Sequence, residues 1–469
     1  MYRVTICLFL LLVAYSSVFA QDPQDEIQRQ IEVQKLRALE SGLDRDFFGQ
    51  DFLYEFGGWY RSSFFTFERG DDRIISWIDQ DLRAWFDVGL FGNHRTYLRV
   101  REQNVFYSNG DNPEGEGNDS LTSGPRIDVA FYEYRINDLL IVGDNYKIKT
   151  GRLFNNFGSG FIYNLIADGV NLDCRHGSVE THFMATQTLR NQDDIDQSRP
   201  THDNSKRQFF GVQVDLNLFA DHTPYFIYLA QKDKNEETDP NQRFEFNSNY
   251  FAVGSQGKIK SDYLYNFEFV YENGERAAYE AGCSCTDMED VSAYALLGRL
   301  KYFTGEKFGF LETVYTFEYI FGSGDSNRSS VTNTIQGNKK DTDDLTYLGF
   351  GYLFTGYVLS PRVSNLHILH MSLSGIVEKD KFDRNSLEAG ADFFVYRKHK
   401  SSGGITDPFA SPFNGFKDKD IGEEISGFVN WKLYTDLSFT ARAAIFNQGH
   451  AYEDNDKKYF FGIGLVYVF

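Results

Sequence analysis

The last residues of this 469-residue chain, positions 459–469, alternate strictly between two kinds of side chain. Every second residue counted back from the C-terminus is large and apolar, and small or apolar residues stand between them. Successive side chains of a β-strand point to opposite faces, so this period of two predicts a strand with one continuous apolar face. The alternate apolar residues are Phe469, Tyr467, Leu465, Ile463, Phe461 and Tyr459.

The same period of two recurs from Phe52 onward, with charged residues opposite the apolar ones. Between positions 78 and 90, for example, Leu82 and Phe86 lie on one face and Asp81 and Asp87 on the other. A sustained pairing of an apolar face with a charged face is expected where lipid lies outside a closed sheet and water inside it. We therefore predict one all-β domain at 51–469, a transmembrane antiparallel β-barrel.

The C-terminal strand resembles the assembly signal of bacterial outer-membrane β-barrels, which ends on an aromatic residue. The residues that carry this resemblance are Phe469, Tyr467 and Leu465. The resemblance implies localisation to the outer membrane of a Gram-negative cell. It also implies that the barrel assembly machinery and outer-membrane lipid are partners of the chain.

The N-terminal 50 residues have a different pattern. Residues 1–20 read as a signal peptide, with Arg3, an apolar centre and a small-residue cleavage site ending at Ala20. Residues 21–50 form a predicted periplasmic helical segment, because apolar residues recur at near-helical spacing within 24–45. We expect this short helix to dock on or plug the barrel mouth. The alternative is a contact that forms a homo-oligomer or binds a periplasmic partner.

Composition agrees with a barrel and excludes one class of partner. The chain has 45 Phe, 29 Tyr and 41 Gly but only 9 Pro, which suits aromatic girdles and long paired strands. Its formal net charge of -20 argues against nucleic acid as a partner.

Connections between the predicted strands alternate between short turns and long polar loops, and this alternation sets the topology. Both chain ends lie on the periplasmic side only if the strand number is even. About 18 strands result when residues 346–357 belong to an inward-folded loop between Gly322 and Asn365 rather than to a strand. The aromatic residues predicted to narrow the pore from this loop are Tyr347, Phe350, Tyr352 and Phe354.

Several short motifs resemble the alginate-export family of outer-membrane porins. They are a Gly-Arg strand and Gly-containing loop at 149–160, an Asp-Gly-Val start at 167–172, and later landmarks at 321–325 and 366–370. The resemblance covers most of the mature chain. It implies an 18-stranded barrel that passes a solute by facilitated diffusion without covalent chemistry.

The inward faces of the predicted strands carry both signs of charge. Arg99, Arg101, Lys147 and Lys149 form a strip of cations that either guides anions or is neutralised by acids on neighbouring strands. If the turn at 92–94 sets the register, Arg99 lies opposite Asp87. The residues predicted to line the pore are Arg99, Arg101, Lys147, Lys149, Arg152, Arg83, Asp79, Asp81 and Asp87.

No catalytic or cofactor motif is evident, so we predict neither an enzyme nor a cofactor. The sequence lacks a Gly-x-Ser-x-Gly motif and a phosphate-binding glycine loop. Cys283 and Cys285 have no second pair or nearby His, so a loop disulfide or two thiols is favoured over a metal. We predict an outer-membrane channel for a small or polymeric, anionic or neutral solute. The alternatives are a structural barrel that anchors a partner with its pore largely blocked, and an outer-membrane enzyme.

Overall fold

The computed structural model describes residues 52–68, 74–109, 120–138, 143–189, 195, 205–234, 245–279, 286–332, 338–379, 386–406, 418–452 and 456–469. The predicted signal peptide and periplasmic helix, and the Cys283–Cys285 pair, lie outside these residues. Within the described ranges, no helix is long and apolar enough to cross a membrane.

The chain forms one closed antiparallel barrel of 18 strands. Each strand pairs with its neighbours in sequence, and β1 pairs with β18 to close the sheet. This architecture confirms the predicted fold class and strand number. The strands are β1 Phe52–Glu68, β2 Ile74–Leu90, β3 His94–Asn109, β4 Ser120–Asn137, β5 Asn145–Phe157, β6 Tyr163–His176, β7 Val179–Gln187, β8 Arg207–Leu216, β9 His222–Asp233, β10 Phe246–Lys260, β11 Tyr263–Tyr279, β12 Thr286–Thr304, β13 Glu312–Gly322, β14 Leu366–Lys379, β15 Ser386–Lys398, β16 Asp420–Lys432, β17 Leu437–Gln448 and β18 Lys457–Val468.

The two faces of the sheet follow the alternation of the sequence. On β2, Leu82 and Phe86 point outward and are exposed, whereas Asp81, Arg83 and Asp87 point inward and are buried. Outward residues of this kind recur around the sheet and give it an apolar exterior. Polar and charged side chains are thereby collected on the inner wall, where they can be hydrated or paired.

The seam between β1 and β18 ends at the C-terminal residue. The N–H of Phe469 donates to the carbonyl of Gly58 (3.0 Å), and the N–H of Gly58 donates to the carbonyl of Phe469 (2.9 Å). A Cβ at Gly58 would lie 2.5 Å from the Phe469 ring. Only glycine therefore allows the terminal aromatic ring to lie against β1.

The register of the β2–β3 hairpin differs from the prediction. The turn comprises residues 91–93, so Leu90 pairs with His94 and Arg99 lies opposite Trp85 rather than Asp87. Phe91 and Gly92 both have positive φ angles, 54° and 73°. Because a bulky residue rarely adopts this conformation, a turn that begins at Phe91 was not evident from the sequence.

Two external connections are shorter than predicted, because their strands continue further. The strand pair β3–β4 extends into the region assigned to a loop at 104–125, and β11–β12 into the loop assigned at 274–290. The connection between β13 and β14, residues 323–365, agrees with the predicted long loop. Within it, residues 346–357 form no strand; Phe350 makes only an isolated bridge with Tyr163.

Candidate functional site: the inner wall and the inward loop

The inner wall of β1–β4 carries a network of buried ion pairs. Arg61 contacts Asp79 (2.5 Å) and Asp81 (3.4 Å), and Arg83 contacts Asp81 (2.8 Å) and Asp128 (3.2 Å). All five side chains are less than a tenth exposed. The network links four neighbouring strands, so it stiffens the wall and leaves little unbalanced charge on it.

The cationic strip predicted from the sequence lies on this inner wall, and each member faces an acid on an adjacent strand. The alternative in which neighbouring acids neutralise the strip therefore describes its geometry. Asp128 and Glu133 are shared, since they also contact Arg83 and Arg135 respectively. The pairs are Arg99–Asp128 (2.6 Å), Arg101–Asp81 (3.1 Å), Lys147–Asp173 (3.0 Å) and Lys149–Glu133 (3.3 Å).

Two further predicted pore-lining residues have different positions. Asp87 lies on the inner wall and pairs with Arg95 (2.6 Å). Arg152 lies on the outward face, because it alternates with Lys149 and shares its face with Ile148. There it pairs with Asp168 of β6 (2.8 Å). This placement corrects the prediction that Arg152 lines the pore.

The loop at 323–365, here called the inward loop, crosses the lumen. Phe350 packs on Phe209 of β8 (5.0 Å between ring centroids) and near Phe246 of β10 (6.0 Å). Seven positions later, Tyr357 stacks on Phe460 of β18 (5.5 Å). Contacts with walls this far apart in the barrel require the segment to run through its interior.

The four aromatic residues predicted to narrow the pore all lie in this crossing segment. Tyr347 packs on Phe161 (5.3 Å), and Phe354 packs on Phe394 of β15 (5.5 Å). Tyr352 accepts a hydrogen bond from Arg362 within the same loop (3.0 Å). Tyr347, Phe350 and Tyr352 are buried, and Phe354 is partly buried.

Two wall glutamates hold the backbone of the inward loop. The carboxylate of Glu424 on β16 accepts hydrogen bonds from the N–H groups of Tyr357 (2.6 Å), Val358 (3.1 Å) and Leu359 (3.0 Å). Glu272 on β11 accepts the N–H of Leu348 (2.9 Å). Hydrogen bonds to an ionised group are stronger than neutral ones, so these two residues fix the loop at both walls.

The short connection between β5 and β6, residues 158–162, also lies inside the barrel. Ser159 donates its N–H to Glu268 of β11 (2.8 Å), and the carbonyl of Ile162 accepts the N–H of Phe350 (2.8 Å). This connection therefore forms a second support beneath the inward loop.

A buried ionic cluster joins the inward loop to β11. Asp344 contacts Arg276 of β11 (2.7 Å) and Arg328 of the loop itself. Burial raises the pKa of Asp344, but Arg328 and Arg276 outweigh this effect and lower the pKa below its ordinary value. The carboxylate is therefore ionised at neutral and mildly acidic pH. Its contribution to loop anchoring is lost only as the pH falls through that lowered pKa.

The sequence pointed to some of these anchors but not to their role. Glu268 and Glu424 stand at inward positions of their strands, and that alternation could be read directly. Their hydrogen bonds to the loop backbone could not be predicted, because loop N–H groups carry no residue-specific signal. Arg328 and Asp344 lie in polar sequence without periodicity, so nothing distinguished them from surface loop residues.

Comparisons with known proteins agree on the fold. No protein-family model matches the chain, and no curated protein has a matching sequence. Solved structures from Pseudomonas aeruginosa do match. OccK5 (OpdH) has 10% identity and a TM-score of 0.51, over 88% of this chain and 97% of its own. OpdK with vanillate has 10% identity and a TM-score of 0.54, over 89% and 98%.

A second structure of OpdK, an outer membrane protein, has 8% identity and a TM-score of 0.51, with the same coverage of 89% and 98%. At these identities the likeness is one of fold. The chain thus has the architecture of an 18-stranded outer-membrane β-barrel of the porin type.

Proposed function

We propose that this protein is a passive channel of the bacterial outer membrane for a small or polymeric, neutral or anionic solute. The observation that carries the proposal is the closed barrel with an apolar exterior, a polar inner wall and a loop that crosses the lumen. Such a wall presents a hydrated path, and the inward loop supplies a place where size and chemistry are selected.

The resemblance to the alginate-export family supports a finer version of this proposal, in which the solute is a polysaccharide. Its support is the short motifs at 149–160, 167–172 and 321–325. The paired charges on the wall favour a solute that does not need a strongly cationic path. Arg99, for example, faces Asp128, and Lys147 faces Asp173.

The second candidate is a barrel whose pore is largely blocked and which anchors a partner. One observation favours it: the crossing segment of the inward loop is buried and is held at both walls by Glu272 and Glu424. A loop fixed in this way leaves less room for flow than a mobile one.

Single-channel recording in planar bilayers separates the two candidates. The folded, purified barrel should give stable conductance steps that persist at both polarities. A barrel without conductance that remains silent after removal of residues 345–358 would overturn the channel proposal. Co-purification of a stoichiometric partner with that silent barrel would support the anchoring function instead.

A further inference from the structure

A polar cavity of about 280 Å³ opens on the inner wall between β3 and β8. This volume lies near the lower end of the range for ligand pockets, roughly 300–1,000 Å³, and so suits one small ring rather than a large ligand. Its lining includes Arg95, Arg99, Lys147, Lys149, Asn155 and Asn171.

The four cations of this cavity are each matched by a different carboxylate. An anion that entered would therefore meet as many negative partners as positive ones, and its net attraction would be small. The pairs are Arg95–Asp87 (2.6 Å), Arg99–Asp128 (2.6 Å), Lys147–Asp173 (3.0 Å) and Lys149–Glu133 (3.3 Å).

Two buried amides in the same cavity have unused hydrogen-bonding capacity. The side chain of Asn171 donates to the side-chain oxygen of Asn155. Nδ2 of Asn155 and Oδ1 of Asn171 then have no hydrogen-bond partner among the described residues, although the two side chains are only 2% and 5% exposed. Buried amide atoms are nearly always paired, so one donor and one acceptor here indicate a site that a ligand completes.

We infer that this cavity binds one ring of a neutral saccharide. A sugar hydroxyl both accepts and donates, so neighbouring hydroxyls can accept from Asn155 and donate to Asn171. A carboxylate only accepts, and it would meet the Asn171 oxygen and Asp173 with repulsion. Tyr97 and Phe131, whose ring centroids are 5.4 Å apart, supply an apolar panel for the C–H groups of the ring.

The inference rests on the proposed channel function, because it names the class of solute that the channel passes. Its test is calorimetric titration of the full-length, detergent-solubilised barrel with glucose and, separately, with glucuronate. Glucose should bind saturably at pH 7, and glucuronate, which differs by one carboxylate, should bind at least about tenfold more weakly.

Matched variants locate the binding. The double variant Asn155→Ala/Asn171→Ala should weaken glucose binding about tenfold, because two hydrogen bonds are lost. Asn430→Ala removes an amide from the inner face of β16, outside the cavity, and should leave binding unchanged. Heat-modifiable gel migration verifies that each variant is a folded barrel.

Three results would overturn the inference: glucuronate binding as tightly as glucose, no binding of either sugar, or glucose binding that the double variant does not change. Bilayer recordings keep the two proposals apart. A conducting barrel that binds no sugar overturns the inference alone. A silent barrel overturns the channel proposal, while the calorimetry still decides what the cavity binds.

Discussion

At the scale of single residues, the charged wall is governed by pairs rather than by individual side chains. Lys147 and Asp173 on neighbouring strands are 3.0 Å apart, and both are partly exposed to the lumen. Because the two charges nearly cancel at a distance, an ion passing through the lumen experiences a weak dipole instead of a cation. The effect of any substitution on selectivity therefore depends on what happens to the partner.

We expect Lys147→Gln to shift the reversal potential toward cation preference, because it exposes the Asp173 carboxylate. The shift should be largest at low ionic strength, where screening is weakest. The double variant Lys147→Gln/Asp173→Asn is the matched control and should restore the wild-type value. Reversal potentials measured across a salt gradient test both. If the double variant also moves toward cation preference, Lys147 acts as an unneutralised charge and the strip guides anions.

At the scale of elements, the inward loop was predictable because strand parity required it. An even strand number forced the aromatic stretch at 346–357 out of the sheet, and the structure agrees. Register was harder, since the β2–β3 turn depends on the positive φ of Phe91. The outward position of Arg152 was implicit in its alternation with Lys149, but the Gly-Arg motif of the resembling family directed attention to the lumen instead.

Removing residues 345–358 should raise single-channel conductance, because this segment crosses the lumen between β10 and β18. The physical reason is the larger free cross-section, so the increase should appear at every salt concentration. Single-channel recording with neutral polymers of graded size measures the change in width. Unchanged conductance and polymer cut-off would mean that the segment does not limit flow.

A point variant tests the same element without a deletion. Glu424→Gln removes the charge that accepts three loop N–H groups and should loosen the loop by about 3 kcal/mol. Flickering between conductance levels is the expected result. Glu423→Gln is the control, because Glu423 is exposed on the opposite face of the same strand.

At the scale of the whole molecule, the barrel is closed by the pairing of its first and last strands. The apolar alternation of β18 predicted a lipid-facing strand, and the structure adds its partner. Phe469 makes the last two backbone hydrogen bonds of the seam, both with Gly58. The chain terminus is therefore part of the closure as well as part of the assembly signal that it resembles.

Deleting Phe469 should reduce the yield of folded barrel without reducing the amount exported, because seam contacts and the terminal aromatic are lost together. Heat-modifiable migration of outer-membrane fractions measures the yield. Ile463→Ala, an exposed outward position on the same strand, serves as the control and should have a smaller effect. An unchanged yield of the deletion variant would show that the terminal residue is dispensable for closure.

The anchors of the inward loop also dictate an order of folding. The residues that they join are far apart in the sequence: 76 positions for Leu348 and Glu272, 67 for Tyr357 and Glu424, and 186 for Tyr347 and Phe161. Contacts between such distant positions form late, because the intervening chain must first be ordered. The loop can take its place only after β5–β6, β11 and β16 surround a common interior. The barrel is thus sealed along its seam and filled across its lumen as two separate events, and the second requires the first.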